Sequence, residues 1–226
     1  MAQNDNVPHE IEVTAAWENL LNSGHPNLAL ETPIPGVDVH LIKEVFSAEE
    51  CPVLLSAAES FGFGTTNYPK HYRGNLRLTV TDQTLAEAVW ERLVHVVPSI
   101  VEEEGRRFMA VGLNPRWRLA KYVPGDLFKS HVDAFFEDDS HGIGRGLKSM
   151  YTVNIYMNED FEGGNTAFQF KPAQSPDVPT YEVVPKTGLC LLFRQPPAEH
   201  YSHEGKVVES GFKYLFRSDV MYYPCK

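Results

Sequence analysis

Two side chains of the metal-ligand type, His131 and Asp133, stand two positions apart at the end of the stretch that begins at Tyr122. An extended strand sends every second side chain to the same face, so this spacing places the imidazole and the carboxylate side by side. Both groups are good metal ligands. A histidine and an aspartate at this spacing occur by chance in many chains, so a metal site requires a third ligand from elsewhere.

His203, and His200 three residues earlier, are the two candidates for that third ligand. Two imidazoles and one carboxylate on one face leave the remaining coordination positions of a metal open, which is the ligand set of non-haem Fe(II) sites. The sequence therefore indicates a metal centre built from His131, Asp133 and one of these two histidines.

The composition fits one soluble globular domain with a core of its own. The chain has 226 residues, of which 42% are hydrophobic and 22% are charged. Its formal net charge of −10 argues against nucleic acid or an anionic membrane as the main partner. The oligomeric state is left open.

The expected compartment is the cytoplasm, with reduced thiols. No apolar run approaches the roughly 18–20 residues that span a bilayer, and the N-terminus lacks the pattern of a secretory signal. The three cysteines are widely spaced and odd in number, which is not typical of a disulfide framework.

The first half of the chain contains the helical patterns. An apolar stripe predicts a short helix over 11–21, and the capping-box pattern that begins at Ser47 predicts a second helix over 48–60. Asp82 is expected to cap a third helix over 85–97, and 99–105 is expected to add a helical turn. Strands are expected at 37–42 and 76–80.

From Leu113 onwards, short apolar runs alternate with glycine, proline and asparagine, which is typical of β structure. Helices followed by about eight short strands favour a mainly β fold with N-terminal helices, a double-stranded β-helix (a cupin-like jelly roll) buttressed by helices. Residues 1–36 are interpreted as an N-terminal extension with a short helix, and 37–226 as a single domain with helical support over 37–112 and the jelly-roll core over 113–226. The expected strands are 116–123, 129–135, 150–157, 165–170, 180–184, 189–194, 206–209 and 212–223.

From about Val37 to the C-terminus the sequence resembles the Fe(II)- and 2-oxoglutarate-dependent dioxygenases, in particular their prolyl-4-hydroxylase-like branch. The motifs that carry the resemblance are Tyr122-x-x-Gly-x-x-Phe-x-x-His-x-Asp, Tyr156-Met-Asn-Glu-Asp-Phe-Glu-Gly-Gly-Asn-Thr166, Pro185-x-x-Gly188, and His203-Glu-Gly followed by Ser-Gly-Phe-Lys213. The resemblance implies that His131, Asp133 and His203 are the catalytic Fe(II) ligands. His203 is preferred to His200 because the distal histidine of the family precedes a Gly-x-Lys by about ten residues.

The resemblance also implies 2-oxoglutarate as co-substrate, with O2 as oxidant and ascorbate as an optional reductant. Lys213 stands in an apolar strand, where a buried charge needs a partner, and the distal carboxylate of 2-oxoglutarate is the partner implied. Arg217 has the same parity and is an alternative to Lys213. Tyr122 and Tyr156 are implied to hydrogen-bond the co-substrate, and Asn154 to contact the co-substrate or the substrate.

The implied reaction is the oxidation, by preference hydroxylation, of an unactivated C–H bond, with release of succinate and CO2. A small molecule or an amino acid is the preferred substrate, and a prolyl peptide is the alternative. Arg73 and Arg77, in an early loop of an acidic protein, are candidates to bind a carboxylate of that substrate.

Two other classes of protein remain open. A cupin-type metalloenzyme that does not use 2-oxoglutarate would keep the histidines and the aspartate but would not need Lys213 or Tyr122. A non-catalytic β-barrel module would need none of the three ligands.

Overall fold

The computed structural model describes residues 9–22, 28–138, 146–175, 177–197 and 201–225, and the fold in these ranges is mostly β. Two α-helices, α1 (Glu50–Phe61) and α2 (Gln83–Leu93), and a short 3-10 helix, Glu18–Leu20, accompany the strands. The strands are β1 (Ile11–Thr14), β2 (Leu30–Glu31), β3 (Val39–Ile42), β4 (Leu76–Thr81), β5 (Ile100–Glu103), β6 (Arg106–Leu113), β7 (Arg116–Tyr122), β8 (Phe128–His131), β9 (Lys148–Tyr156), β10 (Glu162–Gly163), β11 (Thr166–Gln169), β12 (Thr180–Val183), β13 (Cys190–Arg194), β14 (Ser202–Gly205), β15 (Val208–Ser210) and β16 (Lys213–Pro224).

The larger sheet follows the order β1-β4-β7-β16-β9-β13-β3-β2, and the hairpin of β5 and β6 joins it through the far half of β16. The smaller sheet has the order β12-β11-β14-β8, and β10 pairs with β15 in a separate ribbon. Residues of both sheets line one pocket, so the two sheets face each other across it. The prediction of a mainly β fold is confirmed.

The central strand β9 is buried along its whole length, which gives its two faces separate environments. Val153 and Ile155 belong to the main core, where the sheet packs against α1 and α2. Thr152 and Asn154 have the opposite parity and line the space between the two sheets, where Tyr156 joins the second core. One strand therefore contributes both to the core and to the floor of the pocket.

A capping box begins α1, as the sequence predicts. The Ser47 hydroxyl accepts from the Glu50 N–H at 3.2 Å, and the Glu50 carboxylate accepts from the Ser47 N–H at 2.8 Å. The same carboxylate binds Arg92 of α2 through two hydrogen bonds of 2.6 and 2.8 Å, and both side chains are buried. Glu50 therefore joins the two helices as well as capping one of them.

We expect Glu50→Gln to lower the free energy of unfolding by about 3 kcal/mol, because removal of one partner leaves the Arg92 charge buried without compensation. Urea unfolding followed by circular dichroism measures this loss. Glu31→Gln is the matched control, since its ion pair with Lys43 is exposed and contributes little. Equal effects of the two substitutions would show that the buried pair has no special role.

The expected helix over 11–21 is wrong. Ile11–Thr14 forms β1, which pairs in parallel with β4 from Ile11 opposite Leu78 to Thr14 opposite Thr81, and only Glu18–Leu20 turns into a 3-10 helix. Alternating burial along Ile11–Thr14 gives this segment a period of two, and pairing with a strand that is distant in sequence outweighs a weak helical stripe. The expected helix over 85–97 is present as α2, capped at Asp82, whose side chain accepts from the Leu85 N–H at 2.9 Å.

The expected helical turn over 99–105 is also wrong. Ile100–Glu103 and Arg106–Leu113 form an antiparallel hairpin instead. Glu104 and Gly105, the two residues between the strands, have φ angles of 50° and 72°, which is the left-handed conformation of a tight hairpin turn. Among the described residues, no helix is both long enough and apolar enough to cross a membrane.

Candidate metal centre

The smaller sheet brings the three predicted metal ligands together. His131 ends β8, Asp133 follows two residues later, and His203 lies on β14 directly opposite His131 in the antiparallel register. The Nε2 atoms of His131 and His203 lie 3.6 and 3.9 Å from the two carboxylate oxygens of Asp133. The ligand atoms all lie within 4.8 Å of one another. The competing candidate, His200, lies outside the described residues.

Backbone carbonyls orient both imidazoles. The Nδ1 atom of His131 lies 2.8 Å from the Lys129 carbonyl oxygen, and that of His203 lies 3.1 Å from the Tyr201 carbonyl oxygen. Donation from Nδ1 leaves the Nε2 lone pair free and directed at the shared centre. Burial lowers the pKa of His203 to about 4, so its ring is neutral near pH 7, as a metal ligand must be.

Asp133 is held as an anion and fixed in place. Burial alone would raise its pKa, but the positive charge of Arg217 opposes burial and holds its pKa well below the usual range. Thr152 donates to its Oδ2 atom at 3.0 Å, and Gln195 donates in turn to Thr152 at 2.9 Å. A fixed carboxylate between two imidazoles fits a divalent cation.

An aromatic stack supports His131 from outside. The Phe128 ring lies 3.6 Å from the imidazole, with 17° between the planes. The Arg73 guanidinium lies over the Phe128 ring, 4.3 Å from its centroid. Phe128 therefore restricts the rotation of the His131 ring, a candidate ligand that is only partly buried.

We expect Phe128→Ala to weaken metal binding by roughly 10-fold, since loss of a group that orients a ligand typically costs 10–100-fold in metal affinity. Competition with a chromophoric chelator measures the change. Phe61→Ala, which truncates an exposed phenyl ring of α1, is the control. An unchanged metal affinity in the Phe128 variant would mean that the Lys129 carbonyl alone orients the imidazole.

Lys213 is a buried cation without an anionic partner among the described residues. It starts β16, directly opposite Tyr122 of β7, and is only 2% exposed. Its ammonium group donates to the Gly164 carbonyl oxygen at 2.5 Å and lies 5.2 and 5.5 Å from the ring centroids of Tyr122 and Tyr156. Burial lowers its pKa to about 7. Such a group is a ready partner for an anion.

The other predicted co-substrate residues lie around the same space but differ in their partners. Tyr156 already donates its hydroxyl to Thr166 at 2.7 Å. Arg217 binds Asp133 at 3.3 Å and Asp219 at 3.2 Å, so its charge serves the metal side of the pocket. The Oδ1 atom of Asn154 is buried and has no hydrogen-bond partner among the residues that the structure describes.

One cavity of about 410 Å³ is lined by the candidate metal ligands and by most of the predicted co-substrate and substrate residues. These residues are His131, Asp133, His203, Tyr122, Asn154, Lys213, Arg217, Arg73 and Arg77, whereas Tyr156 does not line the cavity. The sequence interpretation missed Arg118 and Asp219, which line it too. The alternation of side chains along a strand could have identified both residues. Arg118 shares a face of β7 with Tyr122, and Asp219 shares a face of β16 with Arg217. It also missed strand β14, because Ser-His-Glu-Gly has no β-branched or alternating pattern.

Several solved structures have a similar fold, although no family model and no curated protein matches the sequence. The viral collagen prolyl hydroxylase of Paramecium bursaria Chlorella virus-1, solved with 2-oxoglutarate, is 20% identical, with a TM-score of 0.56 over 85% of this chain and 99% of that one. A prolyl hydroxylase of Trichoplax adhaerens, in complex with a peptide fragment of hypoxia inducible factor, is 16% identical, with a TM-score of 0.58 over 82% and 83%.

HygX of Streptomyces hygroscopicus, solved with nickel and 2-oxoglutarate, is 13% identical, with a TM-score of 0.52 over 84% of each chain. At sequence identities of 13–20%, the similarity to these structures establishes the fold. The chain has the fold of prolyl hydroxylases of known structure.

Proposed function

We propose that this protein is an Fe(II)- and 2-oxoglutarate-dependent dioxygenase that hydroxylates an unactivated C–H bond. The observation that carries the proposal is the convergence of His131, Asp133 and His203 within 4.8 Å, in the same pocket as the buried ammonium group of Lys213. In this interpretation the two facing sheets are the halves of a jelly roll, and 37–226 is the catalytic domain.

His131, Asp133 and His203 would hold the metal, because two neutral imidazoles and one carboxylate occupy one face and leave positions open for other ligands. Bound Fe(II) supplies the redox chemistry that couples O2 and 2-oxoglutarate to oxidation of the substrate. The overall balance is one 2-oxoglutarate, one O2 and one C–H bond giving succinate, CO2 and a C–OH group. Thr152 and Arg217 keep the carboxylate oriented throughout.

Lys213 would bind the carboxylate of 2-oxoglutarate that is remote from the metal. Its only hydrogen-bond partner among the described residues is neutral, so an incoming carboxylate gains a charge-assisted hydrogen bond without breaking an ion pair. Tyr122, directly opposite Lys213, would donate its hydroxyl to the same carboxylate. Tyr156 would support the site through Thr166.

Prolyl-peptide hydroxylation is the second candidate for this site. A neighbour in fold was solved with a peptide, and exposed rings, among them Tyr68, Phe135 and Phe136, stand at the rim of the cavity. A small molecule or an amino acid is the first candidate, since five cationic side chains and two carboxylates line the cavity.

Succinate formation is the direct test. Protein reconstituted with Fe(II) is incubated with O2, 2-oxoglutarate and separate panels of amino acids, small acids and prolyl peptides. We expect succinate that depends on both iron and 2-oxoglutarate and that increases with one panel. Oxidation without 2-oxoglutarate would support a cupin-type enzyme instead, and failure to bind iron at one equivalent would support a non-catalytic module.

A further inference from the structure

The pocket carries more positive than negative charge, although the chain as a whole is acidic. Its formal net charge is −10, yet five cationic side chains line the cavity against two carboxylates, Asp133 and Asp219. The cations are Arg73, Arg77, Arg118, Lys213 and Arg217. A divalent metal and a dianionic co-substrate cancel each other, so they leave this excess in place.

Three of the arginines lie on one face of adjacent strands. Arg118 of β7 stands directly opposite Arg217 of β16, a placement that is unfavourable for like charges. Asp219 relieves it by binding Arg118 at 3.1 Å and Arg217 at 3.2 Å. Arg77 of β4 pairs with Ala120, so it lies diagonally beside Arg118 on the same face.

Arg77 has no hydrogen bond or ion pair to its guanidinium within the described part of the chain. Burial, together with the neighbouring charges of Arg73, Arg118 and Arg217, lowers its pKa to about 10. Two further polar atoms of the same pocket, Arg217 Nε and Asn154 Oδ1, are buried and find no hydrogen-bond partner in the described ranges. Uncompensated charge and unsatisfied polar atoms therefore coincide beside the metal ligands.

We propose that the substrate carries an oxyanion group, a carboxylate or a phosphate, that binds between Arg77 and Arg118. This inference rests on the proposed function. The planar guanidinium group binds either oxyanion through two parallel hydrogen bonds. Arg118 stands one strand from Arg217, which contacts Asp133, and Arg77 stands one strand further. At a strand spacing of about 4.8 Å, the oxidised carbon and the anionic group are separated by roughly 5–10 Å, a distance that suits a small molecule.

The anion site is tested on protein loaded with Zn(II), which does not turn over, and saturated with 2-oxoglutarate. Inorganic phosphate and acetate are titrated separately, and thermal unfolding reports binding. We expect one of them to raise the melting temperature of the wild type, and the effective anion identifies the substrate group as phosphate or carboxylate. Arg77→Gln is expected to weaken that anion at least 10-fold and to leave the affinity for 2-oxoglutarate within about twofold.

Arg116→Gln is the matched control, because Arg116 lies on the same strand as Arg118 but outside the cavity, in an exposed ion pair with Glu12. It is expected to bind the anion as the wild type does. The inference is overturned if neither anion binds the wild type, or if Arg77→Gln and Arg116→Gln bind the anion equally well. It is also overturned if Arg77→Gln weakens 2-oxoglutarate binding as much as anion binding, since Arg77 would then bind the co-substrate. Failure of the wild type to bind 2-oxoglutarate would instead refute the proposed function.

Discussion

Asp133→Ala is expected to abolish metal binding at one equivalent per chain and, with it, all 2-oxoglutarate-dependent turnover. The aspartate supplies the only negative charge among the three ligands, and both of its oxygens face the ligand nitrogens of the histidines. Its loss leaves two imidazoles beside Arg217, whose positive charge then repels a cation. We expect the affinity for Fe(II) or Zn(II) to fall by more than about 100-fold, beyond what loss of an orienting group costs.

Metal titration monitored by calorimetry, followed by measurement of succinate, tests this expectation. Asp160→Ala is the control, because Asp160 is exposed and does not belong to the candidate metal-binding group. This variant is expected to bind one metal ion. If the Asp133 variant retained one tightly bound metal ion, the metal centre would have to be sought elsewhere in the chain.

Lys213→Met is expected to have two opposite effects: it weakens binding of 2-oxoglutarate and it stabilises the ligand-free protein near pH 6. Loss of a buried, charged hydrogen-bond partner costs about 2–5 kcal/mol, so the affinity for 2-oxoglutarate falls roughly 30-fold to more than 1000-fold. The ammonium group has no anionic partner among the described residues when the ligand is absent, so its burial opposes folding.

The sign of the stability change depends on pH. The folded-state pKa of Lys213 is about 7 and its ordinary value is 10.5, so the unfolded chain binds more protons between these values and wild-type stability rises with pH across this window. Below pH 7 the charge costs the wild type roughly 4–5 kcal/mol. Methionine avoids this cost but leaves the Gly164 carbonyl oxygen without its hydrogen bond, a loss of about 1–3 kcal/mol.

Urea unfolding at pH 6 and pH 10 measures both effects. The variant is expected to be more stable than the wild type at pH 6 and slightly less stable at pH 10, where the wild-type amine is neutral. The dissociation constant of the wild type for 2-oxoglutarate is expected to rise with pH above about 7, because binding then takes up a proton. Lys213→Arg keeps its charge and is the control without this pH dependence. Unchanged 2-oxoglutarate binding by the methionine variant would contradict the role given to Lys213.

The sequence predicts well those elements whose pattern is local. Apolar alternation is visible in the strands that became β7, β9 and β16, and the signals for the N-termini of the two helices lie at Ser47 and Asp82. Each of these signals depends on residues within a few positions of one another. The positions of His131 and Asp133 belong to the same class, because their spacing alone puts them together.

Features that depend on distant partners were missed or misjudged. β1 forms because it pairs in parallel with β4. β14 forms because it pairs with β11 on one side and β8 on the other, although its own residues are mostly polar. The pairing of Arg118 with Arg217, and the ion pairs that both make with Asp219, follow from the register between β7 and β16. No local pattern encodes this register, so the sequence can propose single cations such as Arg77 and Lys213, but the pairing of Arg118 with Arg217 becomes visible only in the folded chain.

Titration of 2-oxoglutarate into the protein under anaerobic conditions, with and without one equivalent of Fe(II), tests the central claim most directly. We predict that one 2-oxoglutarate binds per chain when Fe(II) is present and that its affinity falls by more than about 10-fold without the metal, since one end binds at the triad and the other at Lys213. Binding that is indifferent to Fe(II), or no binding in its presence, would contradict the account.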